Sequence, residues 1–258
     1  MLVKRFAKII FKKFDLCFAS NSETENYLKV LGAQNIKNHG NLKFASGKSI
    51  KYNKLNSFFL NKIKNRKVWC AASTHPTEEL FCSKTHLKVK AIYPNALVII
   101  IPRHIVRIKD IKKELINLNL KVELSSNIEK MDDSTDVLLV DSYGEASQFY
   151  NISECVFLGK SLTKSLIDNS GQNPIEPSKL GCKIAHGPNV SNFFEIYKYL
   201  KSLNISKEVN TSNELRDFLL ENFNNEKLNN GKNVKKIEDY GNIVLNNVLK
   251  DINKYINI

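Results

Sequence analysis

The stretch Ala96 to Ile101, ALVIII, constrains this chain more than any other. Six consecutive apolar residues suit a strand buried on both faces, as in a parallel sheet covered by helices. Comparable short runs recur along the chain. They are Phe14 to Ala19 (FDLCFA), Val68 to Ala72 (VWCAA), Asp136 to Val140 (DVLLV), Glu154 to Leu158 (ECVFL) and Lys183 to His186. Weaker strand signals stand at Ile36 to Leu42 and Lys121 to Leu124. Helical patterns separate the runs, and that alternation predicts an α/β, doubly wound parallel sheet.

Helices are expected over Glu23 to Leu31, from Thr77, over Val106 to Asn119, Glu145 to Tyr150, Asn192 to Leu200, Thr211 to Phe223 and Val234 to Ile256. Ser20 to Glu23 reads as a cap and first turn, and Gly32 stops the helix that follows. In the last helix Ile237, Tyr240, Val244, Val248 and Ile252 form one apolar stripe. Ser46 to Asn56 is polar, Lys- and Asn-rich and unpatterned, so it reads as a junction. The expected divisions are therefore 1–48, a linker over 49–66, a main domain over 67–225 and a C-terminal helix over 226–258 that packs back on the N-terminal side.

The formal net charge is +13, yet only Arg5, Arg66, Arg103, Arg107 and Arg216 are arginines. The excess is lysine in a chain also rich in Asn and Ile, which an AT-rich coding bias yields without selection. The rival reading is a site for phosphate or an anionic surface. Met1 to Phe14 sets Lys4, Arg5, Lys8, Lys12 and Lys13 among Leu2, Val3, Phe6, Ile9, Ile10 and Phe11. It lacks the uninterrupted apolar core of a secretory signal. It reads as a basic amphipathic helix, either packed on the protein or lying on a membrane surface. No apolar run has the length of a membrane span. The five cysteines, Cys17, Cys70, Cys82, Cys155 and Cys182, form no C-x-x-C pair and read as free thiols rather than a disulfide framework or zinc site.

In a doubly wound sheet, ligands bind beyond the carboxyl ends of the strands. Arg103, Tyr143-Gly144-Glu145, Lys160-Ser161 and Asn173 to Glu176 all follow apolar strands and are expected along one sheet edge. Arg103 suits a phosphate or carboxylate by its fork geometry, or a surface ion pair. In Ser170-Gly171-Gln172-Asn173-Pro174-Ile175-Glu176-Pro177, Gly171 permits close backbone approach and Pro174 suits a helix start. Glu176 there either accepts hydrogen bonds from a sugar diol or forms an N-x-x-E cap with Asn173. Ser73-Thr74-His75 is a catalytic loop or a plain turn. No Walker A loop, dinucleotide fingerprint, zinc-protease motif or nucleic-acid fold motif is present.

Taken in order, these stretches resemble the 3-deoxy-D-manno-octulosonic acid (Kdo) transferases of lipid A biosynthesis. The residues that carry the resemblance are Phe14 to Ala45, Trp69 to Glu79 (WCAASTHPTEE), Pro102-Arg103-His104, Ser142 to Tyr150 (SYGEASQFY), Phe157 to Leu162 (FLGKSL) and Ser170 to Asn192. The resemblance implies a GT-B glycosyltransferase with two Rossmann-like domains, of which this chain holds the C-terminal one and a remnant of the N-terminal one. It implies transfer of Kdo from CMP-Kdo to a lipid A precursor (lipid IVA), without cofactor or metal, at the cytoplasmic face of the inner membrane, and no nucleic-acid partner. It implies a CMP site of Pro102, Arg103, Tyr143, Gly144, Glu145, Asn173, Pro174, Ile175 and Glu176, with Lys43 as a transition-state stabiliser.

The departures are local. The family's usual Gly-Gly-Ser is Gly159-Lys160-Ser161 here, its Gly-Gly-His-Asn is Ser170-Gly171-Gln172-Asn173, and its Met before Gly-Glu is Tyr143. No residue matches the family's general-base glutamate, so a truncated chain that needs a partner carrying the rest of the first domain is expected. Its apolar faces, the Ile237-to-Ile252 stripe among them, are then expected to stay exposed; autonomous transfer would require an acid such as Glu23 or Glu78 as base. The alternatives are a non-catalytic CMP or CMP-sugar binding module, a GT-B enzyme or epimerase with another nucleotide-sugar donor, and a basic nucleic-acid binder.

Overall fold

The computed structural model describes residues 2–45, 55–162, 170–223 and 231–256. In chain order the elements begin with α1 (Leu2–Phe11), β1 (Cys17–Ala19), α2 (Ser22–Leu31) and β2 (Ile36–Asn38), followed by a 3-10 turn over Leu42–Ala45. Next come α3 (Ser57–Ile63), β3 (Val68–Thr74), α4 (Glu78–Lys90), β4 (Leu97–Pro102), α5 (Ile108–Asn117), β5 (Val122–Leu124), β6 (Val137–Leu139) and α6 (Ala146–Ile152). The series closes with β7 (Cys155–Leu158), α7 (Ile175–Lys179), β8 (Lys183–His186), α8 (Phe194–Ser202), β9 (Ser206–Glu208), α9 (Ser212–Asn222) and α10 (Gly231–Ile256). The chain divides into two compact units, Met1–Ser49 with Lys235–Ile258, and Ile50–Val234.

The larger unit is built on a parallel sheet of order β5-β6-β4-β3-β7-β8-β9 among the described residues. β4, the ALVIII run, pairs with β3 and β6, which explains why both of its faces are apolar. Trp69, Val98, Ile100, Val137, Phe157 and Ala185 join Val89, Ile111, Leu115, Leu215 and Phe218 in one core between sheet and helices. Burial of such side chains contributes about 1.5–3 kcal/mol each. The strand order steps from β3 through β4 to the β5 edge, then restarts with β7 on the other side of β3. The reversal opens a crevice between the carboxyl ends of β3 and β7, where doubly wound sheets take ligands.

The smaller unit pairs β1 with β2 in parallel. Asn21 caps α2 by accepting from the Thr24 amide at 2.7 Å, and Gly32 ends it at φ 92°, as the Ser20–Glu23 and Gly32 signals predict. The α10 stripe is not left exposed: Ile237, Val244 and Val248 are buried. The Phe44 ring meets Tyr240 edge-on at 4.9 Å. Gly241 is needed at this contact, because a Cβ there would lie 2.2 Å from the Phe44 carbonyl oxygen. His39 and Asp251 meet at 2.7 Å, and Lys254 donates to Asp251 at 2.6 Å. These contacts hold Asp251 well down, at about 2, with the Lys254 hydrogen bond the larger cause and His39 the next.

Two elements depart from the sequence reading. α3 forms within 49–66, the expected linker, because Phe59 and Ile63 are one turn apart and both buried. β9 is an additional edge strand whose three residues are too few and too polar to announce themselves. The expected divisions at 48/49 and 225/226 fall outside the described residues, as do Asp168 and Asn169 of the loop before Ser170.

Candidate functional site

At the crevice the β3–β4 ladder shifts register between Ala72 and Thr74. Ser73, the residue skipped, has φ 53°. Thr77 and Lys160 are also left-handed, at φ 80° and 57°. Three non-glycine residues in that region, on facing loops, each cost roughly 1 kcal/mol or more and mark a backbone held by its surroundings.

What holds it is Glu78, fully buried in the first turn of α4. One carboxylate oxygen accepts the backbone N–H groups of His75 at 2.9 Å and Lys160 at 2.7 Å. The other accepts those of Ser161 and Leu162, both at 2.9 Å. A helix N-terminus and a nest of loop amides together form an anion site; here the protein's own carboxylate fills it. Gly159 is required beside it, since a Cβ there would stand 2.6 Å from both Glu78 Oε2 and the Ser73 carbonyl oxygen. Both oxygens of Glu78 being occupied, it is not disposed to act as a base. Glu79, also buried, receives both terminal nitrogens of Arg107 at 2.9 and 3.0 Å and the Thr74 hydroxyl at 2.9 Å.

These pairings leave Arg103 apart from the structural arginines. Its amide donates to the Thr74 carbonyl at 3.0 Å, fixing the loop after β4, while its side chain is exposed. Pro102 ends β4 opposite Thr74. His75 lies 5.7 Å from His104, ring to ring, and burial lowers the His75 pKa against the opposing pull of its contact with the Ser73 carbonyl.

The other expected residues of the larger unit stand on the same carboxyl edge. After β6, Ser142 hydrogen-bonds Glu145, Tyr143 is 65% exposed, and Gly144 at φ 83° faces open space. Ser147 of α6 donates to Glu176 of α7, which joins the two loops. Of the two alternatives for Glu176, the N-x-x-E cap does not form: Asn173 accepts the Ile175 amide at 3.1 Å and Glu176 turns to Ser147 instead. Pro174 flanks α7 and Ile175 is buried. Gly171, at φ 84°, lies so near Val190 that a Cβ would come within 2.9 Å of its Cα, and Tyr197 donates to the Gln172 carbonyl at 2.9 Å. Lys43 belongs to the smaller unit, in the 3-10 turn after β2, and is exposed. Glu23 is bound by the Tyr27 hydroxyl at 3.0 Å on the exposed face of α2.

Glu78 and Glu79 escape sequence analysis as anchors because their partners lie up to 84 positions away. A pair of acids in a helix's first turn reads as ordinary dipole complementarity. A cavity of about 480 Å3 lies elsewhere, lined by Phe58, Lys62, Arg66, Asn95 and Asp133. Its Arg66 serves backbone carbonyls and its Lys62 pairs with Asp133, so we assign it no chemistry. Among the described residues no cluster of three His, Cys, Asp or Glu side chains could hold a metal ion.

The parallel α/β fold of the larger unit is that of solved GT-B glycosyltransferases and related epimerases. UDP-N-acetylglucosamine 2-epimerase shares that fold, at a TM-score of 0.56 and 12% identity over 97% of this chain and 60% of its own. The C-terminal CMP-Kdo binding domain of WaaA from Acinetobacter baumannii matches at a TM-score of 0.58 and 25% identity, over 73% of this chain and 98% of that domain.

The chain is similar in sequence to curated Kdo transferases, in line with the motifs above. The 3-deoxy-D-manno-octulosonic acid transferase of Haemophilus influenzae is 34% identical over 148 residues, 57% of this chain and 34% of that protein. The Rickettsia prowazekii transferase is 29% identical over 265 aligned positions, 99% of this chain and 54% of its own length. The chain thus spans between a third and about half of these relatives. No protein-family model matches it.

Proposed function

We propose that this chain carries the donor-binding half of a Kdo transferase and binds CMP-Kdo at the carboxyl edge of its large sheet. The observation that carries the reading is the match to nearly the whole of a solved CMP-Kdo binding domain. In this reading the Arg103 guanidinium meets the CMP phosphate, the Tyr143-Gly144-Glu145 loop and the Asn173-to-Glu176 turn receive the nucleoside, and Glu176 accepts from the ribose diol. Glu78 stays out of the chemistry and holds the β7 loop in place beneath the donor.

Transfer joins an acceptor hydroxyl oxygen of the lipid A precursor to the Kdo anomeric carbon. The bond from that carbon to the CMP phosphate oxygen breaks, and the hydroxyl proton passes to a base. We assign that base to the part of the relatives' length that this chain does not span, in cis or on a partner chain. The Lys43 ammonium offsets charge on the departing phosphate or the Kdo carboxylate. The reaction belongs in this reading to the cytoplasmic face of the inner membrane.

Isothermal titration of the chain with CMP, against UDP and GDP, tests the proposal. CMP is expected to bind best, and Arg103→Ala to weaken it by about 1.5–3 kcal/mol, the worth of a charge-assisted hydrogen bond. Glu176→Gln is expected to weaken CMP while leaving the thermal midpoint nearly unchanged. Equal binding of all three nucleotides, or CMP affinity unchanged in both variants, would remove these residues from the site.

A further inference from the structure

The described non-glycine residues with positive φ are Ser73, Thr77, Asn119, Lys160 and Asn204. Asparagine tolerates that region through its own local hydrogen bonds. Lys160 has no such means, and of the set it alone carries a long side chain. Its φ of 57° suits glycine better. The position is also one of the departures from the Kdo transferases, whose usual Gly-Gly-Ser is Gly159-Lys160-Ser161 here. The loop does not need this side chain to hold its shape. Its anchor is the Lys160 amide, which donates to Glu78 at 2.7 Å and which every residue but proline supplies. Backbone strain kept without structural benefit points to a use for the side chain.

Lys160 follows β7 as Arg103 follows β4, and both strands pair with β3. Their ends stand two strand spacings apart, about 9–10 Å. His75, at the end of β3, lies between them. Burial lowers the His75 pKa, and the charges of His104 and Lys160 act in the same direction, so the Lys160 ammonium is near that ring. The acids of this edge are engaged. Glu78 accepts loop amides, Glu79 is held by Arg107, Glu145 by Ser142 and Glu176 by Ser147. Among the described residues no side chain pairs with the half-buried Lys160 ammonium or with the exposed Arg103 guanidinium. Two cations without partners thus reach over one crevice from its two sides. A partly buried ammonium is costly until an anion meets it.

We propose that Lys160 is a specificity-determining residue whose ammonium binds the sugar carboxylate of an ulosonic-acid donor, beside the phosphate held by Arg103. The inference rests on the donor-binding reading above and names the part of the donor that Lys160 recognises. In CMP-Kdo the anomeric carbon bears both the carboxylate and the phosphate oxygen, so two anions stand side by side. That pair matches two cations converging from neighbouring loops. A neutral sugar on the same single phosphate leaves the ammonium unpaired. Lys160 binds and orients the sugar acid; no bond is made or broken at its nitrogen.

The test is calorimetric titration of the full chain with freshly made CMP-Kdo and with cytidine 5′-methylphosphate, a phosphodiester that lacks the sugar acid. The variants are Lys160→Gly, Lys160→Gln and Lys160→Arg. All three keep the amide that Glu78 accepts, and urea unfolding of each confirms that the fold is retained. Lys160→Gly and Lys160→Gln are expected to lower CMP-Kdo affinity about tenfold or more, the loss of one charge-assisted hydrogen bond. Both are expected to bind the methyl diester as wild type does, and Lys160→Arg is expected to keep most of the CMP-Kdo affinity. Unchanged CMP-Kdo affinity in Lys160→Gly and Lys160→Gln overturns the proposal. Equal losses for CMP-Kdo and the diester also overturn it, since they place Lys160 on the phosphate. Either result leaves the donor-binding reading standing if the unaltered chain binds CMP. An unaltered chain that binds no CMP overturns both.

Discussion

Glu78→Gln distinguishes an anchor from a base. The carboxylate accepts from the amides of His75 (2.9 Å), Lys160 (2.7 Å), Ser161 (2.9 Å) and Leu162 (2.9 Å) with no exposure to solvent. A hydrogen bond to a charged group contributes about 1.5–3 kcal/mol, and a buried donor left unpaired costs about 1–3 kcal/mol. Glutamine keeps one acceptor oxygen and turns an NH2 toward the other two amides, so two bonds are lost and two donors face a donor. The contributions overlap, which puts the expected loss at about 3–5 kcal/mol. For a unit of this size that lowers the melting temperature by roughly 6–20 °C. Glu78→Ala, which admits water to the four amides, should cost a similar amount. Differential scanning calorimetry of both variants, with the exposed Glu114→Gln as control, reads the effect. A Glu78→Gln chain that melts within about 2 °C of wild type yet loses a catalytic activity the wild type has would refute the anchor and make Glu78 a base.

Three further outcomes follow from particular contacts. Lys160→Gly should raise stability by about 0.5–1 kcal/mol in urea unfolding, because Lys160 sits at φ 57° where a Cβ is penalised. Gly241→Ala should lower the stability of the smaller unit by about 1–3 kcal/mol despite the better helix propensity of alanine, since the new Cβ meets the Phe44 carbonyl oxygen at 2.2 Å; hydrogen exchange at α10 would report it, and unchanged protection would refute the close contact. Burial holds the His86 pKa down to about 3, with Trp69 donating to its Nδ1 at 3.2 Å. The unfolded chain therefore takes up a proton near pH 6.5 that the folded chain refuses, so stability falls by about 1.4 kcal/mol per pH unit between 6.5 and 3. His86→Gln should flatten that slope in acid titrations of the urea midpoint.

The alternation of apolar runs with amphipathic segments determined the parallel sheet. Residues buried on both faces leave no polar side to hide, and ALVIII accordingly pairs on both sides as β4. The same alternation puts Arg103, Gly144 and Glu176 at one carboxyl edge, because parallel strands all end there. Local chemistry was legible where it is local, as with Asn21 and Gly32 around α2. Sequence alone left Glu176 divided between a cap and a ligand group; tertiary structure decided against the cap by bringing Ser147 from another helix within its reach. The α10 stripe meets Phe44 at Tyr240, a contact that no pattern within the helix specifies. Glu78 states the difference most plainly. Its charge and its place in a helix's first turn were evident, but its partners at 160 to 162 are brought to it only when β7 settles beside β3, and that pairing turns an ordinary helix-start acid into the clamp of the crevice.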